Sequence, residues 1–128
     1  MLRVAFQGER GAYSEAAASS FFKDMIETVP HPTFYDVLES TEKGESDYAI
    51  LPIENSLEGS VGESYDLLLS TNLNVVDEIY FRIRHCLIGF EELEKVDTVY
   101  SHPQALGQCR KFIQSRKIKA VPTYDTAG

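Results

Sequence analysis

The chain has 128 residues, enough for one ordinary domain or two small lobes, with the 43% hydrophobic and 25% charged content of a normal soluble globular protein. Its formal net charge of −8 argues against nonspecific nucleic-acid or anionic-membrane binding, both of which need a basic surface, so an anionic ligand has to be drawn by a local pocket. No apolar run approaches the about 20 residues that span a bilayer, and Met1-Leu2-Arg3 leads straight into Val4-Ala5-Phe6 with no signal-peptide core. The two cysteines, Cys86 and Cys109, lack metal-ligand spacing and read as reduced thiols, so a cytoplasmic protein is expected.

Arg3 to Phe6 predicts a short first strand. Gln7-Gly8-Glu9-Arg10-Gly11 then turns into a helix opening at Ala12-Tyr13-Ser14-Glu15, with Tyr13, Ala17 and Phe21 as the expected buried stripe and Ala16 and Ser20 beside it. The two glycines let the backbone approach whatever lies above the turn, and Ser14 sits in the first helical turn; a purely structural βα turn looks the same. Thr28 and Val29 suggest a brief second strand closed by Pro30 and Pro32. Thr33 and Asp36 form a capping-box-like pair for a helix over Phe34, Val37, Leu38 and Thr41, which Gly44 ends.

Tyr48 to Ile53 is a nearly unbroken apolar run of strand length, expected to be buried on both faces. Asn55, Ser56, Gly59, Ser60 and Gly62 place small and polar residues at the following turn, and a helical pattern opens at Val61 with Tyr65, Leu68 and Leu69 on one side. A buried strand that stops at such a turn and feeds a helix presents N–H groups and hydroxyls at the carboxyl edge of the sheet. Open α/β sheets bind ligands there, and a helix N-terminus favours an anion. The stretch therefore reads as a carboxylate or phosphate site, against the plainer reading of N-capping alone.

Alternating strands and helices predict a mostly parallel sheet. Leu73 to Gly89 is a long β-rich stretch, expected to be a strand that crosses from a first lobe into a second. Thr98-Val99-Tyr100 resumes strand character and ends at Ser101-His102-Pro103, with Pro103 suited to the first position of a helix. That helix is expected to run on with Ala105, Leu106, Cys109, Phe112 and Ile113 facing a core, while Gln104 and Gln108 share a face at its start. Lys119 to Pro122 gives a last strand, and Asp125-Thr126-Ala127-Gly128 reads as the start of a further helix.

Three separated stretches together resemble the motifs of prephenate dehydratase, in the family's order and at about its spacing. They are Gly8-x-x-Gly11-Ala12-Tyr13-Ser14-Glu15, Pro52-Ile53-Glu54-Asn55-Ser56-x-x-Gly59-x-Val61 and Ser101-His102-Pro103-Gln104-Ala105-x-x-Gln108-Cys109. The resemblance implies an α/β fold of two lobes, similar to type II periplasmic binding proteins, with residues 1–77 as the first lobe and 78–128 as a partial second lobe. It implies decarboxylating dehydration of prephenate to phenylpyruvate in phenylalanine synthesis. It further implies a homo-oligomer, a dimer, with a small-molecule substrate and no cofactor or metal, while the charge and the lack of a spanning run predict neither nucleic-acid nor membrane partners. The family's Thr-Arg-Phe motif, whose Thr is regarded as the main catalytic residue, and its phenylalanine-binding ACT domain have no counterpart in these residues. Weak or no turnover by the 128 residues alone is therefore expected. Where many relatives have Thr before the aromatic residue of the first motif, this chain has Ala12.

On that resemblance Asn55 and Ser56, with the backbone around Gly59, Ser60 and Val61, would bind a substrate carboxylate or hydroxyl. Gln108 and Gln104 would close from the opposite side, and Ser14 would join the pocket. Glu54 would serve as a proton donor if burial raised its pKa, against a structural ion pair, and His102 would bind substrate or simply cap its helix. Arg82 and Arg84 read as surface or hinge residues and Cys109 as core. Three alternatives stay open: a non-catalytic small-carboxylate binding module, a structural pseudo-enzyme, and arogenate dehydratase.

Overall fold

The computed structural model describes residues 1–23, 25–56 and 59–123, and divides them into two compact units, Met1–Phe81 and the residues from Arg82 onward. The helix expected at Asp125 to Gly128 lies outside the described residues. No helix among the described residues is long and apolar enough to cross a membrane.

The first unit runs β1 (Leu2–Gln7), α1 (Tyr13–Phe22), β2 (Ile26–His31), α2 (Phe34–Glu42), β3 (Tyr48–Ala49), β4 (Glu54–Asn55), β5 (Gly59–Ser60) and α3 (Gly62–Ser70). β1, β2 and β3 form a parallel sheet in the order β2-β1-β3, with Val4 beside both Thr28 and Tyr48. Successive strand residues point to opposite faces, so full burial of Val4, Ala5 and Phe6 means that both faces of β1 are covered. Pro30 sits inside β2, opposite Phe6, instead of ending the strand. β2 is an edge strand, and there a missing N–H breaks no ladder.

Two expectations for this unit need correction. The run from Tyr48 to Ile53 is not a strand buried on both faces: only Tyr48 and Ala49 pair, Tyr48 is exposed, and Ile50, Leu51 and Ile53 are half-buried. β3 is the other sheet edge, and Pro52 has no N–H with which to extend a ladder. The stripe of α1 is also rotated from the one expected. Ala17 and Ala18 are buried, and Ala16, Ser20 and Phe21 face outward. Two adjacent methyl side chains let the helix lie close against the sheet, whereas bulky Phe21 is left to pack edge-on against Phe22, which in turn meets Tyr48 with ring centroids 5.2 Å apart.

α2 begins as its sequence dictates. Thr33 Oγ1 accepts from the Asp36 N–H at 3.1 Å and donates to Asp36 Oδ2 at 2.8 Å, while Val37 and Leu38 are buried. At its far end the Glu42 carboxylate accepts from the Thr71 hydroxyl and from the Asn72 N–H, tying the exit of α3 to α2. Those two bonds, the hydroxyl's first, hold the Glu42 pKa below its usual value.

The stretch from Leu73 to Gly89 forms no strand, which overturns the expected crossing strand. Alternating β-branched residues stay a strand only if their backbone groups meet a neighbouring strand, and no described strand pairs with these. Tyr80 and Ile88 are accordingly 92% and 90% exposed. Phe81 does find a neighbour in Tyr13, their ring centroids 6.4 Å apart.

The second unit holds a short 3₁₀ turn (Leu93–Lys95), β6 (Thr98–Ser101), α4 (Pro103–Gln108), α5 (Arg110–Ser115) and β7 (Lys119–Pro122), with β6 and β7 parallel. The single helix expected after Pro103 is two helices, broken at Cys109 with φ −98° and ψ 11°. Gly107, the weakest helix former in the run, lies just before the break. Ala105, Ile113 and Ile118 make the small core, while Phe112 is exposed, with the Arg116 guanidinium 5.3 Å from its ring.

Candidate functional site

In the first unit the parallel strands β1 and β3 end on the same edge of the sheet, so the turn after β1 and the hairpin that follows β3 both leave from that edge. The first turn requires its glycines: Gly8 has φ +119° and Gly11 φ +95°, and a Cβ on Gly8 would also meet Ala12 Cβ at 3.4 Å. The Gly8 N–H donates to the His31 carbonyl at 2.9 Å, which anchors the turn to the end of β2. Glu15 reaches back from the first turn of α1 in the manner of a capping box. Its Oε1 accepts from the Gly11 N–H at 2.9 Å, and its Oε2 accepts from the Thr28 hydroxyl at 2.7 Å and lies 3.4 Å from Arg10 Nη1. The Gly11 bond, then the Thr28 bond, and to a smaller extent the Arg10 charge hold the Glu15 carboxyl below its usual pKa, against a partial desolvation. Ser14, beside it in the same turn, is half-buried.

The second element of this edge is the β4/β5 hairpin, with Glu54 opposite Ser60 and Asn55 opposite Gly59, whose φ is +80°. Asn55 is half-buried, and Ser56 and Ser60 are exposed. Val61 follows as the N-cap of α3, which has no side-chain capping bond. Its N–H, expected to face an anion, instead donates to the Ile53 carbonyl at 2.7 Å and closes the base of the hairpin. Glu54 is exposed, so the burial on which its proton-donor reading rested is not there. It accepts from the Tyr65 hydroxyl at 3.3 Å, and lost solvation together with the Glu54 charge pushes the Tyr65 pKa up.

Glu54, Asn55, Ser56, Gly59, Ser60 and Val61 thus share one hairpin-to-helix corner, with Ser14 on the same sheet edge. One residue there escaped the sequence reading. Ser64, in the first turn of α3, is fully buried, and its Oγ has no hydrogen-bond partner among the described residues. A buried hydroxyl left unpaired costs about 1–3 kcal/mol. Its only sequence signal is a serine just behind the Ser/Gly turn.

The second unit carries the other candidates. His102 is the N-cap of α4, its Nδ1 accepting from the Gln104 N–H at 3.0 Å, so the capping role is the one it performs. Gln104 is exposed and Gln108 half-buried. Gln108 Oε1 lies 2.5 Å from Nε2 of His85, a residue that sequence reasoning passed over because it sits outside all three motifs. Cys109 is half-buried at the break between α4 and α5, not a core residue, and Arg82 and Arg84 are exposed. No group of three or more His, Cys, Asp or Glu side chains able to hold a metal occurs among the described residues.

Known proteins share both the sequence and the fold. The family profile described as prephenate dehydratase matches residues 4–128. A relative from Arabidopsis thaliana, the chloroplastic arogenate dehydratase/prephenate dehydratase 2, is 44% identical over 129 residues, covering 99% of this chain and 34% of that protein. The chain thus spans about a third of the length of the curated relatives it matches. Among solved structures, prephenate dehydratase from Arthrobacter aurescens in complex with L-Phe superposes with a TM-score of 0.68 at 25% identity, over 98% of this chain and 43% of that one. A structure titled as GqqA, a novel type of quorum quenching acylases, superposes with a TM-score of 0.85 at 34% identity, over 98% of this chain and 46% of that one. The mixed α/β fold is that of the prephenate dehydratases, periplasmic-binding-protein-like.

Proposed function

Since the chain belongs to the prephenate dehydratase family, we propose that it contributes the substrate-holding part of an enzyme that converts prephenate to phenylpyruvate, water and carbon dioxide. What supports the reading is the match over residues 4–128, joined to a hairpin-to-helix corner that carries Asn55, Ser56 and Ser60 at the carboxyl edge of a parallel sheet.

The reaction sets the requirements. The bond from the ring to its carboxylate breaks, its electrons complete the aromatic ring, and the ring C–O bond breaks as hydroxide leaves with a proton. The catalyst must orient a dianion, leave the ring carboxylate weakly solvated, and give a hydrogen bond to the departing oxygen. Asn55 and Gln108 are the amide groups assigned to that work, with Ser14, Ser56, Ser60 and Gln104 as further contacts. Glu54 and His102 keep lesser parts, since one is exposed and the other has its Nδ1 engaged as a cap. Substrate enters as a small carboxylate, and the protein works as a homo-oligomer in the cytoplasm. Arogenate, which replaces the keto group of prephenate by an amine, presents the same ring to the same groups, and the Arabidopsis relative's name covers both substrates.

Turnover of prephenate by a chain that also carries the family's Thr-Arg-Phe segment, followed by phenylpyruvate absorbance, tests the proposal, and the variants are made in that chain. Asn55→Ala and Gln108→Ala should each lower kcat/KM by about 10–1000-fold. Rates within twofold of the parent would reduce both residues to structural roles. A second reading, amide-bond hydrolysis of an acylated signal molecule, is favoured by the TM-score of 0.85 to the structure titled an acylase. Acyl-amide cleavage by a chain that leaves prephenate untouched would establish it instead.

A further inference from the structure

We propose that His85 is a positioning residue for Gln108, committing that amide to act as a hydrogen-bond donor; the proposal rests on the reading of Gln108 as a site residue. His85 lies in the stretch that forms no helix or strand, and its side chain is exposed, so burial in a core does not account for where it sits. It reaches across 23 positions of sequence to the last residue of α4 and brings Nε2 to 2.5 Å from Gln108 Oε1.

The two atoms in contact fix the direction of the bond. An amide oxygen can only accept, so the ring nitrogen that faces it carries the hydrogen, and a neutral His85 is the Nε2–H tautomer. With Oε1 engaged, the NH₂ end of Gln108 is the end left for a ligand, and it can only donate. Donation is what a carboxylate or a departing hydroxyl oxygen needs. An unrestrained glutamine would sample several rotamers and both amide orientations, and would lose that freedom each time a substrate bound. The short bond from His85 removes the choice beforehand, as supporting groups do in preorganised sites. Gln104, one turn earlier on the same face, has no such brace among the described side-chain bonds and is the more exposed of the two.

The test is a double-mutant cycle, with prephenate as substrate, on a chain that also carries the family's Thr-Arg-Phe segment. His85→Leu should lower kcat/KM on the order of 10-fold, Gln108→Leu by at least as much, and the double variant no further than Gln108→Leu alone, because both remove one coupled unit. His85→Gln, whose amide N–H reaches the place of Nε2, should restore most of the rate. Losses that multiply in the double variant, or no rescue by His85→Gln, would overturn the positioning role. A slow Gln108→Leu beside an unaffected His85→Leu would overturn it too while sparing Gln108. A Gln108→Leu chain at parental rate would instead remove Gln108 from the site, and this proposal with it. One measurement needs no variant: long-range ¹H–¹⁵N spectra of the parent protein should show neutral His85 protonated on Nε2, and protonation on Nδ1 would refute the bond.

Discussion

Glu15→Ala removes the carboxylate that fastens the turn between β1 and α1 to its own backbone and to β2. Two of its bonds are charge-assisted and close, at 2.9 Å to the Gly11 N–H and 2.7 Å to the Thr28 hydroxyl, and the side chain is only 21% exposed. Bonds of that kind contribute about 1.5–3 kcal/mol each when well shielded. The Arg10 side chain is 66% exposed, so its ion pair adds only a few tenths of a kcal/mol, roughly 0.2–1. Allowing for water at the rim, the substitution should destabilise the first unit by about 2–3 kcal/mol, a large part of the roughly 5–15 kcal/mol that holds a domain. Glu15→Gln keeps an acceptor for Gly11 and should cost about 1 kcal/mol.

The pH dependence separates charge from shape. Because the folded-state pKa of Glu15 is depressed, its contribution is complete above the unfolded value, the ordinary carboxylate range near 4.5, and is lost as pH falls through the lower folded value. Urea unfolding followed by circular dichroism should therefore show a gap between parent and Glu15→Gln that is full at neutral pH and closes as pH falls through the depressed folded-state value. Hydrogen exchange at the Gly11 amide should quicken in the same window. A Glu15→Ala change within 0.5 kcal/mol of the parent, or a gap unaffected by acid, would refute this account of the turn, the former because about 2–3 kcal/mol is expected.

Phe6→Ala, at a fully buried site in the central strand, should cost about 3–5 kcal/mol and abolish the cooperative melt of the first unit, as read by circular dichroism. Thr33→Ala should lower stability by about 1 kcal/mol through loss of the α2 N-cap, and Thr33→Ser should retain most of it in the same urea assay. Gly8→Ala forces a side chain into φ +119° and should destabilise by about 1–3 kcal/mol, with faster exchange of the Gly8 amide that now bonds His31.

Local chemistry was legible from the residues alone. Thr33 and Asp36 announce a capped helix because their bonds close within one turn, and Pro103 behind His102 marks a helix start for the same reason. The strands β1, β6 and β7 follow from short apolar or β-branched runs, and the three motifs carry the family. What needed the tertiary structure was everything that depends on a neighbour distant in sequence. Tyr48 to Ile53 and Leu73 to Gly89 both read as strand, yet pairing is a property of two segments: β3 keeps only two paired residues at a sheet edge, and the second stretch has no described strand beside it. The face that α1 buries was decided by how closely Ala17 and Ala18 could approach the sheet, not by the size of Phe21. The Val61 N–H, available on paper for an anion, closes the hairpin on Ile53 instead, while the orphaned Ser64 hydroxyl and the His85 bond to Gln108 had no motif to announce them. Capping and turn chemistry are written within a few consecutive residues, whereas burial, pairing and the direction of a side-chain donor are set by atoms that only the folded chain brings within reach.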